Sequence, residues 1–318
     1  MNDETQRQFR EVQAYFRLPS IALVEKDLHV VRAIAALASL DASPFRLVFG
    51  GGTALARAHK LVHRMSEDVD FKIVPHMAAD VSRSVLRQQL GELRAKITAA
   101  LLAAGFAFDP ADPACTKSRN ENRYTIWHLP YARTDGAGEG LRPTIMIETT
   151  YATLRQAAIT KPISSFVAEA FERPPEVPAI ACVSLAETAA EKLVSLTRRT
   201  AMELAGLSRA TDPALVRHIY DLHVMREHVD LDLVATMARS IAEADAKEFR
   251  NQYPDYQADI IGETRKALTA LSDDVTHRNR YDSFVAAMVY GEKPAFVEAL
   301  ATVDAFAKRA IWLEGGGA

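Results

Sequence analysis

The feature that most constrains this chain is a glycine-rich turn followed, after a fixed spacing, by two aspartates. The glycines occupy positions 50–52 and precede Thr53, and fourteen residues then separate Thr53 from Asp68-Val69-Asp70. An apolar run at 45–49 leads into the turn, and alternating residues at 69–74 end at Pro75. The pattern predicts strand, turn, helix and strand, with Asp68 and Asp70 on one face because strand side chains alternate.

Two carboxylates on one strand face have a chemical consequence. With Glu67 beside them, Asp68 and Asp70 repel one another unless a cation offsets their charge. Mg²⁺ prefers oxygen ligands and is usually shared with substrate phosphates. A glycine turn that opens a helix offers free backbone N–H groups to phosphate, and Thr53 adds a hydroxyl. The chemistry predicts a nucleoside triphosphate bound with Mg²⁺ or Mn²⁺.

A third carboxylate strengthens this interpretation. Glu148 ends the apolar run Ile145-Met146-Ile147, and a charged residue in such a strand is seldom buried without a partner. Taken singly, an Asp-x-Asp is usually a solvated strand end and a Gly-Gly pair is usually a turn. Three strand-borne carboxylates together fit a two-metal site for phosphoryl transfer.

The remaining sequence divides into a mixed first half and an all-helical second half. The first half predicts helices over 1–43 and 80–105 and strands over 45–49, 69–74, 122–129 and 143–151, with a glycine-rich turn at 136–140. Beyond the proline-rich stretch 174–178, Ser184 and Glu187 form a capping-box pattern. Helical spacing then predicts helices over 184–204, 213–228, 231–249, 255–271, 280–290 and 294–313. We therefore expect an α+β protein, with a small mixed sheet flanked by helices in a domain over 1–180 and an all-α domain over 181–318.

Several motifs resemble those of a known family. The segments GGTAL at 51–55 and RMSEDVDF at 64–71 resemble the first motif of the AbiEii/MenT-type nucleotidyltransferases. These toxins of toxin–antitoxin systems belong to the DNA polymerase β-like nucleotidyltransferase superfamily. The segments SLAETAAEKL at 184–193 and HIYDL at 218–222 also resemble the family pattern, so the likeness covers roughly residues 20–225. The superfamily often has Gly-Ser where this chain has Gly52-Thr53, which keeps the hydroxyl.

The resemblance implies roles for five catalytic residues. Asp68 and Asp70 would hold the metal and, through it, the triphosphate. Glu148 would either complete a second metal site or activate the attacking hydroxyl. Lys192 would reach the β- and γ-phosphates, and Asp221 would hold Lys192 through an ion pair between helices. A plain salt bridge between two helices is the structural alternative for that pair.

The nucleotide-binding residues would lie mainly around the turn. We predict that Gly51, Gly52, Thr53, Arg64 and Ser66 contact the nucleotide together with the lysine above. A solvated loop is the alternative for Arg64, and a turn-forming role is the default for Ser66. Phosphorylation of Ser66 would add up to two negative charges near the carboxylates and would silence the enzyme.

The function that the resemblance implies is transfer of a nucleoside monophosphate from an NTP to an acceptor hydroxyl, with release of pyrophosphate. The acceptor would be a tRNA 3′ end, which would block translation and growth, and a cognate antitoxin would be the protein partner. A protein or small-molecule acceptor is an alternative. A catalytically silent nucleotide-binding module is a second alternative, of another class.

Composition limits the other classes of protein. The 318 residues are 48% hydrophobic, contain two cysteines and carry a formal net charge of −3. Without a signal-like start or an apolar run of about 18 residues, we expect a cytoplasmic protein with no membrane segment. The negative charge argues against a protein that coats nucleic acid. Basic residues nevertheless concentrate in segments 81–96, 115–142 and 192–217, whereas residues 230–274 hold ten acids and five bases. This asymmetry is compatible with a protein that grips one RNA end.

Overall fold

The protein is described here by a computed structural model, which covers residues 3–76, 81–131, 133, 141–208 and 211–310. The turn predicted at 136–140 and the end of the last predicted helix lie outside these residues. The chain forms two compact units. The first comprises Met1–Lys60 and Arg64–Val183, and the second comprises Leu61–His63 and Ser184–Ala318.

The first unit is built on a mixed sheet. Its strands are β1 (Phe45–Gly50), β2 (Asp68–Pro75), β3 (Thr116–Arg119), β4 (Tyr124–Pro130), β5 (Thr144–Tyr151), β6 (Ile159–Ile163) and β7 (Val177–Cys182), in the spatial order β3-β4-β5-β2-β1-β7-β6. The β2–β5 and β1–β7 pairs are parallel, and the other neighbours are antiparallel. The predicted fold class, a mixed sheet with helices followed by an all-α region, is confirmed.

The helices in the described part of the first unit are α1 (Asp3–Phe16), α2 (Ile21–Ala38), α3 (Gly51–Arg57), α4 (Arg83–Ala103) and α5 (Phe166–Ala170). The helical region predicted over 1–43 consists of two helices, α1 and α2. Arg17 adopts a left-handed φ of 54° between them, and Pro19 follows. Proline restricts the residue before it to extended backbone and lacks an N–H, so the first helix ends there.

Three strands, β3, β6 and β7, were not predicted from the sequence. Strand β3 reads Thr-Lys-Ser-Arg and has no apolar alternation, while β6 and β7 contain Pro162 and Pro178. Proline within a run argues against a central strand but is tolerated at a sheet edge. The β6 strand lies at the edge, and its register with β7 shifts between Lys161 and Ile163.

Alternation along the strands divides the sheet into two chemically different faces. On β2, Val69, Phe71 and Ile73 are buried in the main hydrophobic core, which also contains apolar residues of α2 and α4. Asp68 and Asp70 alternate with these residues and are only half-buried on the opposite face. The core face therefore holds the sheet to its helices, and the other face is available for polar chemistry.

The secondary-structure elements of the second unit, within its described residues, are helices joined by loops. Its α-helices are α6 (Leu185–Leu204), α7 (Arg217–Met225), α8 (Leu231–Glu248), α9 (Pro254–Ala258), α10 (Ile260–Asp273), α11 (Val275–Met288) and α12 (Phe296–Ala310). Short 3-10 segments at Pro213–Val216 and Arg226–His228 flank α7. The predicted cap is present, because the Ser184 hydroxyl accepts a 3.2 Å hydrogen bond from the Glu187 N–H. None of the helices in the described ranges is long and apolar enough to cross a membrane.

A buried ion pair fastens three parts of the first unit together. Lys26 on α2 donates from Nζ to Glu67, and the two side chains are 0% and 3% exposed. The same ammonium donates to the carbonyls of Arg142 at 2.8 Å and Thr144 at 3.2 Å. Burial lowers the pKa of Lys26, and the hydrogen bond to Glu67 opposes that shift. The pair therefore connects α2, the residue before β2 and the start of β5.

We predict that removing one charge of this pair destabilises the protein strongly. In Lys26→Met, the buried Glu67 loses its closest counter-ion and keeps only the longer 3.5 Å contact with the half-exposed Arg142, which costs about 3–5 kcal/mol of unfolding free energy. The double variant Lys26→Met/Glu67→Leu removes both charges and recovers much of that loss. Urea unfolding of the full chain measures both effects.

The matched control is Arg83→Met, which removes an ion pair to Glu121 of 2.8 Å that lies at the surface. Exposed pairs contribute little, so the unfolding midpoint of this control stays near that of the unmodified protein. A Lys26→Met midpoint equal to that of the control would contradict the prediction.

Candidate active site

The glycine turn packs directly against one of the predicted metal ligands. Strand β1 ends at Gly50, which lies opposite Asp70 in the antiparallel register with β2. Gly51 follows with a φ of +71°, and a Cβ atom there would lie 1.8 Å from Asp70 Oδ2. Only glycine accommodates both the left-handed backbone and this close approach. The turn therefore sets where the Asp70 carboxylate lies.

The sheet register places the three predicted carboxylates on one face. Strands β2 and β5 are parallel neighbours, with Asp70 opposite Glu148 and Asp68 opposite Met146. Asp68 and Asp70 share a face because they are two residues apart on one strand. All three acidic side chains are half-buried. Residues that are far apart in sequence thus form one acidic surface.

Glu148 has a hydrogen-bond partner that the sequence analysis missed. The hydroxyl of Tyr124, on β4, donates to Glu148 Oε2 at 3.0 Å. Burial, followed by the negative charge of Glu148, raises the pKa of Tyr124 well above its ordinary value. The phenol therefore stays protonated and remains a donor. Only the β4–β5 register, which pairs Ile126 with Glu148, reveals this contact.

Asp68 lies beside the guanidinium of Arg142, a contact that the sequence analysis did not predict. Arg142 Nη2 is 2.7 Å from Asp68 Oδ1, and Arg142 Nε is 3.5 Å from Glu67 Oε2. Glu67 was expected to repel the two aspartates, but it is paired with Lys26. The charge of the acidic surface is therefore partly balanced by the protein itself.

The other predicted nucleotide-binding residues contact the protein around the turn. Thr53 is buried, and its hydroxyl donates to the Asp68 carbonyl, which ties α3 to the start of β2. Arg64 is also buried, and its Nη1 donates to the Met65 carbonyl at 3.0 Å. A Cβ on Gly52 would lie 2.5 Å from Arg64 Nη2 and 2.9 Å from Ser66 Oγ. The structure therefore gives Thr53 and Arg64 positioning contacts, and contact with phosphate stays a prediction.

The second unit contains the predicted pair of Lys192 and Asp221. Lys192 Nζ, on α6, lies 2.8 Å from Asp221 Oδ2, on α7, and both side chains are buried. The Nδ1 atom of His218 lies 3.4 Å from the same ammonium. The ion pair between helices is therefore present, with His218 as an additional neighbour of the ammonium.

The carboxylates of the first unit suit a divalent cation that is shared with a nucleotide. Among the residues that the structure describes, no three His, Cys, Asp or Glu side chains form a group that could hold a metal ion by themselves. Mg²⁺ commonly takes one or two carboxylates and completes its shell with substrate phosphates and water. Asp68 and Asp70 would supply such oxygen ligands, although Asp68 already has the Arg142 guanidinium as a counter-ion at 2.7 Å.

A comparison with protein families decides the identity. The family described as "Nucleotidyl transferase AbiEii toxin, Type IV TA system" matches residues 32–307. This chain belongs to the AbiEii nucleotidyltransferase toxin family. The toxin is therefore a nucleotidyltransferase, in a family that generally uses an NTP and a divalent metal. A type IV toxin–antitoxin system also implies an antitoxin partner. The resemblance seen in the sequence motifs is confirmed.

A solved structure supports the fold of the toxin. MenT4, a nucleotidyltransferase toxin from Mycobacterium tuberculosis H37Rv, is similar with a TM-score of 0.53 and 16% identity over 96% of this chain and 90% of that chain. At this identity the likeness shows a shared fold. No sequence among curated proteins matches the toxin.

We predict that Gly51→Ala impairs nucleotidyl transfer by displacing Asp70. The new methyl group meets the Asp70 carboxylate, and the left-handed backbone adds about 1–2 kcal/mol of strain. Gly206→Ala is the matched control, because Gly206 has a φ of +69° with nothing within 4 Å of the added Cβ. Thermal unfolding and the transfer rate per folded molecule are measured for both. Equal transfer rates in the two variants would argue against displacement of Asp70.

Proposed function

We propose that this toxin transfers a nucleoside monophosphate from an NTP, with Mg²⁺, to the 3′-terminal hydroxyl of tRNA and thereby blocks translation. The observation that supports the chemistry is the register that sets Asp70 opposite Glu148, with Asp68 two residues away on the same face. The glycine turn against Asp70 supports the same interpretation. We infer a cytoplasmic location because this substrate is cytoplasmic.

The proposed reaction breaks one phosphoanhydride bond and forms one phosphodiester bond. The acceptor oxygen attacks the α-phosphorus, the bond to the bridging oxygen of the β-phosphate breaks, and pyrophosphate leaves. Mg²⁺ held by Asp68 and Asp70, when bound, would neutralise the charge that develops on the phosphate oxygens. Of the two roles considered for Glu148, we favour the general base, which accepts the proton of the attacking hydroxyl. The hydrogen bond from Tyr124 orients its carboxylate.

Basic residues of the first unit support a polyanionic acceptor. Arg83, at the start of α4, lies 2.8 Å from Glu121, in the turn between β3 and β4. The hydrogen bond from Arg83 is the main cause that lowers the pKa of Glu121, and the charges of Arg87 and Arg123 lower it further. Arg83 pairs with Glu121, and the charges of Arg87 and Arg123 act on the same carboxylate, so the arginine cluster that these three residues form carries a net positive charge. Such a cluster attracts the phosphate backbone of RNA.

The remaining site residues are proposed from the family resemblance. Lys192 would supply positive charge to the triphosphate, and Asp221 would hold its ammonium through the 2.8 Å ion pair. Gly51 and Gly52 would contribute backbone contacts to the nucleotide. The buried Thr53 and Arg64 would maintain the turn, and the half-buried Ser66 beside Gly52 would be the place where phosphorylation blocks the site.

We predict that α-labelled nucleotide appears in tRNA. The toxin is incubated with Mg²⁺, one α-³²P-labelled NTP at a time, and either total tRNA, extracted protein or a small-molecule extract. Asp70→Asn removes a metal ligand and Glu148→Gln removes the base, so each lowers the labelling rate by at least about 10²-fold. Glu92→Gln, an exposed carboxylate change on α4, serves as the control and keeps the rate.

The acceptor hydroxyl is tested with tRNA whose 3′ ribose has been oxidised by periodate, which we expect to accept no label. Label in protein or small molecules instead of tRNA would show that tRNA is not the acceptor, but it would still support nucleotidyl transfer from the NTP. Absence of label from every fraction, with nucleotide still bound, would favour the catalytically silent module.

We also predict a selective effect of Tyr124→Phe. Losing a hydrogen bond to a charged group costs about 1.5 kcal/mol, which corresponds to about a tenfold decrease in kcat. The KM for NTP stays within about twofold, since the Tyr124 hydroxyl donates to Glu148, the proposed base, whereas Asp68 and Asp70 are the residues proposed to hold the metal and nucleotide. Steady-state transfer kinetics separate the two parameters. A change confined to KM would show that the tyrosine acts on nucleotide binding.

A further inference from the structure

Arg142 is a charged residue beside the acidic surface that the proposed reaction does not use. Its guanidinium reaches Asp68 at 2.7 Å and Glu67 at 3.5 Å. Its side chain is 40% exposed, whereas Glu67 is 3% exposed. A ligand that approaches the acidic surface from solvent can therefore reach Arg142.

The main chain of Arg142 is held on both sides by the buried ion pair. Its N–H donates to Glu67 Oε1 at 2.8 Å, and its carbonyl accepts from Lys26 Nζ at 2.8 Å. The side chain begins from a fixed backbone and ends in a half-exposed guanidinium. This arrangement lets the guanidinium exchange partners without movement of the strand that follows.

The charges around Arg142 make Asp68 its principal counter-ion. Glu67 already forms a closer contact with Lys26, so most of the guanidinium charge is balanced by Asp68. A guanidinium stays charged at all accessible pH values, and its planar donors match carboxylate and phosphate equally well. A cation next to Asp68 weakens the attraction of that carboxylate for a divalent metal. The triphosphate of a nucleotide offers Arg142 another anionic partner.

We propose that Arg142 holds Asp68 in the free toxin and exchanges it for a nucleotide phosphate when the metal–nucleotide complex binds. Free divalent metal then binds weakly, since it must compete with Arg142 for Asp68. Metal and nucleotide bind with positive coupling, because the phosphates withdraw the competing guanidinium. This inference rests on the proposed metal–nucleotide site and requires no acceptor.

The test measures binding of Mn²⁺, a spectroscopic substitute for Mg²⁺, by electron paramagnetic resonance in the absence of acceptor. The full chain is titrated alone and then with saturating α,β-methylene NTP, which cannot transfer its nucleotidyl group. In Arg142→Gln, we expect about tenfold tighter binding of Mn²⁺ alone and about tenfold weaker binding of the analogue, within the usual range of coupling factors. Arg142→Lys keeps the charge, so its affinity for Mn²⁺ alone stays near that of the unmodified toxin.

Arg142→Gln is expected to bind Mn²⁺ more tightly and the analogue more weakly, whereas a merely structural defect would weaken both. Arg94→Gln is the matched control, because it removes one exposed arginine from α4, on the core side of the sheet, and it should change neither affinity. Unfolding midpoints confirm that each variant is folded. Unchanged or weaker Mn²⁺ binding by Arg142→Gln would overturn the inference.

A further variant separates failure of this inference from failure of the proposed site. Asp70→Asn should abolish Mn²⁺ binding in the presence of the analogue. If it does so while Arg142→Gln leaves the coupling between metal and nucleotide unchanged, only the role of Arg142 is overturned. If the unmodified toxin binds no Mn²⁺ even with the analogue, both the metal–nucleotide site and the role of Arg142 are overturned.

Discussion

The first unit depends on the buried contact between Lys26 and Glu67. Two opposite charges that are almost fully removed from water need each other and further hydrogen bonds to remain charged. The ammonium obtains these bonds from the carbonyls of Arg142 and Thr144, and Glu67 obtains one from the Arg142 N–H. One helix, the approach to β2 and the start of β5 are fixed relative to each other as a result. Asp68 follows Glu67 directly, so a structural contact determines the position of a residue that is proposed to bind the metal.

One face of the sheet packs in the hydrophobic core and stabilises the fold, and the other face carries the acidic residues proposed for the chemistry. Apolar residues such as Val69 and Ile147 belong to the core that includes α2 and α4, while Asp70 and Glu148 are directed to the other face. Changes on the acidic face can therefore alter function with little loss of core packing. The Tyr124 hydroxyl and the Arg142 guanidinium act on this face as local partners, one for Glu148 and one for Asp68.

The overall charge of −3 is a poor guide to what the toxin binds. Acidic residues prevail in segment 230–274, whereas the arginine cluster belongs to the first unit. An average over the whole chain hides such a local positive surface, and the field near a surface depends on the charges nearest to it. The type IV family assignment also implies an antitoxin. The chemical nature of the antitoxin is independent of which acceptor the toxin modifies.

The local sequence determined those elements that depend only on a few neighbouring residues. The turn before Thr53, the alternation of Asp68 and Asp70 and the cap at Ser184 all follow from short-range backbone geometry, and the spacing of the motifs sufficed to recognise the family. Only the tertiary structure showed that Gly51 packs on Asp70 and that Tyr124 and Arg142 contact the acidic residues. Strands β3, β6 and β7 were missed because their sequences are short, polar or interrupted by proline, and pairing with neighbours supplies what their local propensity lacks. The contacts of Lys26 reach even further along the chain, up to the 118 positions that separate it from Thr144, and strand register and burial decide such contacts rather than spacing along the chain.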